Sequence, residues 1–160
     1  MNGRLLYMLM PLLLGSELVA QAAKAHAPLR VPKISGRSFV GGSARVTVTG
    51  SFQIDADVAI NAKASFGDGE MTWIQFGVSG AVEPNALITY GDQGIGIIVG
   101  LGKNSATAEP SAEDAACTGE VNVTATSVAG QYTCTGVGSY NPTTGKLGKV
   151  NISIRFTAKS

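Results

Sequence analysis

Four carboxylates have the types and spacing that could do chemistry. Asp55 and Asp57 stand two apart, which puts both on one face of a strand, and Asp68 and Glu70 flank Gly69 in an Asp-Gly turn signal. Several carboxylate oxygens on flexible loops are what calcium takes as ligands. A carboxylate pair is also the machinery of glycoside hydrolysis, where the separation sets the stereochemical outcome. The plainer reading is that Asp55 and Asp57 are the wet face of an amphipathic strand and that Asp68 forms a turn. Trp73, Phe76 and Tyr90 offer a second kind of site, an aromatic ligand patch, against the alternative that they pack in a core.

Much other chemistry lacks its residues. His26 is the single histidine, so a Ser-His-Asp triad and a His-rich metal site have no members to draw on. As the first residue after leader cleavage, His26 would offer an amine and an imidazole to a metal such as copper. No S-x-x-K run supports a lysine-assisted serine nucleophile. Gly94-Ile95-Gly96 looks briefly like a nucleotide loop but lacks the G-x-G-x-x-G spacing, and reads better as a glycine-dotted buried strand. The expectation is a protein that is not an enzyme and carries no cofactor, with calcium the ion its carboxylates would take.

The start of the chain carries an address. Arg4 precedes an apolar run over residues 5–14, broken only by Pro11, and the A-x-A sites Ala20-Gln21-Ala22 and Ala23-Lys24-Ala25 follow. This is the pattern of a secretory signal, cleaved after Ala22 or Ala25. The run is too short to span a bilayer, which takes about 20 residues, so no membrane span is expected once the leader is removed. The mature chain is expected to be secreted or periplasmic, a setting in which Cys117 and Cys134 pair as a disulfide. A hairpin turning at Ala129-Gly130 would place Cys134 opposite about Ala125. The pairing therefore needs either a fold-back near Gly119 or an earlier turn.

Charge is segmented. Lys24, Arg30, Lys33, Arg37 and Arg45 precede a stretch, residues 46–120, with ten acids and two bases, and Lys146, Lys149, Arg155 and Lys159 close the chain. Either the surface is dipolar, or basic terminal strands lie beside the acidic middle and neutralise it. The formal net charge of +1 gives no reason to expect nucleic acid as a partner.

The elements that must position these residues are strands. Residues 44–64 alternate apolar and polar over a length that must break, with breaks expected at Gly50-Ser51 and again near Asp55 to Asp57. Residues 71–78, 86–90, 94–101, 120–128, 131–140 and 149–158 follow as strands. Residues 103–116 read as a loop, with a helical turn where Ser111 and Asp114 make a capping pattern. The whole is a leader over residues 1–25, an extended basic lead-in over 26–37, and one all-β domain over 38–160. That domain is an antiparallel β-sandwich or small barrel of about eight strands with little helix.

The closing strands, Gln131-Tyr132-Thr133-Cys134-Thr135-Gly136-Val137-Gly138, then Asn141-Pro142 and the alternating run 150–158, resemble those of small mycobacterial-type antigenic lipoproteins. The likeness covers about the last 40 residues of the chain. It implies a surface or exported β-domain without established catalysis. The chain departs from that family in lacking the lipid-accepting cysteine and in placing both cysteines differently. The expected function is an exported, non-enzymatic binding or envelope-structural protein. The alternatives are a subunit of an extracellular assembly, pilus-like or self-associating, with a cell-surface partner as the other binding option, and a calcium- or carbohydrate-interacting domain built on the four carboxylates.

Overall fold

The computed structural model describes residues 35–68, 71–91, 94–109 and 116–160. Its strands are β1 (Ser35–Ser38), β2 (Gly41–Gly50), β3 (Ile54–Ala59), β4 (Phe66–Asp68), β5 (Met71–Phe76), β6 (Pro84–Gly91), β7 (Gly94–Leu101), β8 (Asn104–Ala108), β9 (Ala116–Val123), β10 (Ser127–Asn141) and β11 (Lys146–Lys159). One 3-10 turn, Ala62–Ala64, is the sole helical element among the described residues. All eleven strands join a single antiparallel sheet in the order β1-β4-β5-β6-β7-β8-β10-β11-β2-β3, with β9 beside β10.

The sheet curls into a half-barrel, and backbone contacts show how. β1 pairs with β4 at one end of the strand order, while β2, next in the chain, lies between β11 and β3 at the other. The corner between them is pinned by Phe39 N–H donating to Ser65 O at 3.0 Å and Val40 N–H to Lys159 O at 2.8 Å. Beyond β3, Ile60 bridges to Phe76 on β5, flanked by Asn61 N–H to Gln75 O at 2.7 Å and Gly77 N–H to Ala59 O at 2.9 Å. Strand twist alone would splay so long a sheet, and these ties draw its margins together around one core.

That core follows from alternation. Ala44, Val46 and Val48 on β2, Ile54 and Val58 on β3, and Val150, Ile152, Ile154, Phe156 and Ala158 on β11 all point inward, and all are buried. Ile74 and Phe76, Ile88, Ile97 and Val99 complete the other wall. Each fully buried Ile, Val or Phe contributes roughly 1.5–3 kcal/mol relative to exposure, which is what closes the curl. Phe76 and Phe156 meet across the interior with ring centroids 6.1 Å apart.

The all-β antiparallel expectation stands, and the strand count differs for a physical reason. The three further strands are β1 (SGRS), β4 (FGD) and β8 (NSATA), of four, three and five residues. None is long or apolar enough to show an alternation, and in β8 only Ala106 and Ala108 face the core. Residues 35–37 of the expected lead-in therefore belong to β1, and residues 104–108 of the expected loop form β8. The second break in the 44–64 run falls at Ile60 and the 3-10 turn, not at Asp55 to Asp57. The leader, His26, and the proposed helical turn at Ser111 and Asp114 lie outside the described residues.

Ala129-Gly130 is not a turn. Both residues sit within β10, where Gly130 faces Phe156 on β11. A Cβ on Gly130 would lie 2.7 Å from Phe156 Cζ, so glycine here makes room for a ring instead of bending the chain. The reversal comes earlier. Thr124 Oγ1 accepts from Ser127 N–H at 3.0 Å and Thr126 N–H at 3.3 Å, closing a tight loop between Val123 and Val128. That register puts Cys117 directly opposite Cys134 with Cα atoms 4.0 Å apart, and the two form a disulfide.

Candidate binding surface

The predicted site residues separate according to strand parity. Asp55 and Asp57 project from the outer face of β3, Asp57 directly opposite Arg45 on β2 and Asp55 diagonal to it, opposite Thr47. Arg45 bonds both: Nη2 pairs with Asp55, and Nη1 donates to Asp57 at 3.2 Å. Side-chain exposures of 47% for Arg45, 70% for Asp55 and 73% for Asp57 leave this triad in water, where such pairs contribute about 0–1 kcal/mol. One guanidinium thus occupies the two carboxylates that would have begun a calcium site. Asp68 lies on β4, paired with Ser35, and Glu70 lies outside the described residues. Among the described residues no three His, Cys, Asp or Glu side chains gather as a metal site.

The triad continues as a polar row. In register across five strands stand Glu120, Gln131, Arg155, Arg45 and Asp57. Gln131 Nε2 donates to Glu120 at 3.2 Å, and Arg155 Nη2 donates to Gln131 Oε1 at 3.4 Å. Basic β2 and β11 therefore lie against acidic β3 and, through Gln131, acidic β9. The segmented charge is neutralised locally. The adjoining row, Thr118, Thr133, Ser153, Thr47 and Asp55, is also polar, and a shallow depression of about 330 Å³ lies over the β9–β10–β11 part of the two rows.

The proposed patch of Trp73, Phe76 and Tyr90 does not exist as one surface. Phe76 and Tyr90 share the inward parity and are buried, whereas Trp73 points the other way. Its neighbour on the outside is Phe66, 45% exposed, directly opposite on β4, with ring centroids 5.0 Å apart and planes at 33°. Thr89 is next to Trp73 on β6, and Gly96 is next to Thr89 on β7. The adjacent row is Gln75, Leu87, Ile98 and Thr107, with Ile98 37% exposed. Phe66 escapes a reading that centres the hairpin on Asp68-Gly69. That reading sets Phe66 opposite Met71, whereas Phe66 pairs with Trp73.

Two tyrosines line the interior. Tyr132 lies over Gly119, where any Cβ would run into the Tyr132 ring, and its hydroxyl has no protein hydrogen-bond partner. Burial pushes the Tyr132 phenol up to about 12, with the Glu120 carboxylate adding to the rise. Burial also raises Tyr90, against the smaller opposing effects of Thr72, its cross-strand partner, and of Arg37. Thr72 lies beside the Tyr90 hydroxyl without making a well-formed hydrogen bond to it. Arg37 itself donates to Thr124 O at 3.1 Å, tying β1 to the β9–β10 turn.

Compared with protein-family models, curated proteins and solved structures, the chain matches none of them. The disulfide is the feature that bears on location, since such bonds persist in oxidising, extracytoplasmic settings.

Proposed function

We propose that this is an exported, non-enzymatic binding domain, and that its ligand is a polysaccharide docked on the outer face of β4 to β7. The observation that supports this reading is the Phe66–Trp73 pair on a face that alternation would otherwise give to water. Contiguous apolar surface of this kind marks an interaction site. Aromatic faces are electron-rich, and the axial C–H bonds of a β-linked pyranose present partial positive charge to them. Thr89 beside Trp73, and Gln75 two residues along β5, set a hydroxyl and an amide on the same face, where sugar hydroxyls need partners.

The secretory signal and the disulfide support export to a compartment where such polymers occur. The resemblance of the closing strands to exported antigenic lipoproteins is consistent with the same location. Depletion by insoluble chitin, cellulose and peptidoglycan tests the proposal. The wild type is expected to be depleted by at least one of them, and Phe66→Ala to stay in solution. Equal retention of the two proteins on every polymer overturns it.

A further inference from the structure

β9 is an open edge. Among the described residues it pairs with β10 alone, and its eight residues contain no proline and no lysine, the usual guards against strand addition. The 4.0 Å Cα separation at Cys117–Cys134 marks a non-hydrogen-bonded pair of the antiparallel ladder. The N–H and C=O groups of Cys117, Gly119, Val121 and Val123 therefore point away from β10, toward the open side. The same disulfide holds β9 in register, so the edge is presented as a fixed template. On its inner face Gly119 is exposed, and Val121 and Val123 are only half-buried.

We propose that this edge docks a second copy of the chain, β9 against β9, antiparallel about a two-fold axis at Val121. Self-pairing is isologous, so each register must satisfy its own image. An axis at Glu120 would set that carboxylate directly against itself, and like charges opposite one another destabilise a ladder. Moving the axis to Val121 removes the clash. Val121 then meets the partner's Val121, Glu120 meets the partner's Asn122, whose amide can donate to it, and Val123 stands opposite the partner's Gly119, which carries no side chain to clash with it. Charge and polarity match in this register, and the two sheets become one. The proposal is independent of the glycan-binding reading, because β9 and the Phe66–Trp73 face lie on different parts of the sheet.

Sedimentation equilibrium of the secreted, disulfide-bonded protein over a range of concentrations tests it. The wild type is expected to show a monomer–dimer equilibrium. Val121→Pro is expected to weaken dimerisation at least tenfold, because its lost N–H faces the open edge and costs no bond to β10. Should that variant fail to fold by circular dichroism, Val121→Lys places an edge guard at the same position and carries the same expectation. Glu120→Gln, which keeps a side-chain oxygen to accept from the partner's Asn122, is expected to dimerise about as tightly as the wild type. A wild type that stays monomeric throughout, or a folded Val121 variant that dimerises undiminished, overturns the proposal.

Discussion

On the outer face of β9, β10, β11, β2 and β3 most outward positions hold Thr, Ser, Asn, Gln, Lys, Arg, Asp or Glu, in part joined by cross-strand bonds, with Tyr140 and Leu147 an exposed pair at one end of β10 and β11. On the outer face of β4 to β8 the same parity holds Phe66, Trp73, Leu87 and Ile98. Both regions bury an apolar inner face, so folding alone does not call for the difference. The polar half spends its outward positions on neutralising a segmented charge and on solubility. The other half leaves apolar rings and side chains in water, where they cost solubility and offset it with nothing inside the chain. A surface that the fold does not require, and that solvent does not favour, is the place to look for a ligand.

The contrast can be broken from either side. The largest expected effect lies in the polar half: replacing Cys117 and Cys134 with Ala should lower stability by about 3 kcal/mol, read from urea unfolding. It should leave Trp73 emission in the folded protein unchanged. A shifted emission maximum would mean that the two halves are coupled more closely than their separate surfaces suggest.

The next effect belongs to the apolar half. Phe66→Ala should weaken glycan binding at least tenfold, while changing stability by no more than about 1 kcal/mol, since a half-exposed ring contributes little to the core. Binding isotherms and unfolding curves on the same variant separate the two. A stability loss of core size would recast Phe66 as a packing residue.

Alkaline pH probes the interior that both halves share. A folded-state phenol raised above its unfolded value stabilises fully below pH 10, and that contribution is lost as pH rises through the folded value. For Tyr132 the window runs from 10 to about 12, with Tyr90 adding in the same direction. Stability should therefore be insensitive to these groups up to pH 10 and fall above it, and Tyr132→Phe should blunt the fall. A variant with an unaltered alkaline profile would remove Tyr132 from the account.

The smallest effect concerns the exposed triad. Arg45→Ala should cost about 1 kcal/mol or less. Calcium should leave the melting temperature of the wild type unchanged, because Arg45 already occupies both carboxylates. A calcium-dependent rise in the wild type would restore Asp55 and Asp57 as a metal site.

What could be read before the structure was the alternation. The inward residues of β2, β3 and β11 are those the pattern names, because a period of two in Val, Ile and Phe leaves one arrangement open. Short elements were illegible for the converse reason. β8 offers two alanines to the core, and β1 and β4 hide among glycines and serines, so tertiary pairing and not local propensity makes them strands. Gly130 misled because glycine marks both turns and close approaches, and only the ring of Phe156 across the ladder tells which. The aromatic patch was half legible. Trp73 belongs to it, but parity places Phe76 and Tyr90 inside, and Phe66 became visible only once the hairpin register was known.

Trp73 is the single tryptophan of the chain, so its fluorescence reports on the proposed site with no competing signal. Titration of the disulfide-bonded protein with soluble chito-, cello- and peptidoglycan oligosaccharides is the most direct measurement. A saturable shift or quench of emission with at least one of them, abolished by Phe66→Ala, is the predicted result. Emission that stays constant with every oligosaccharide while the protein is captured by the matching polymer would place the ligand elsewhere and contradict the account.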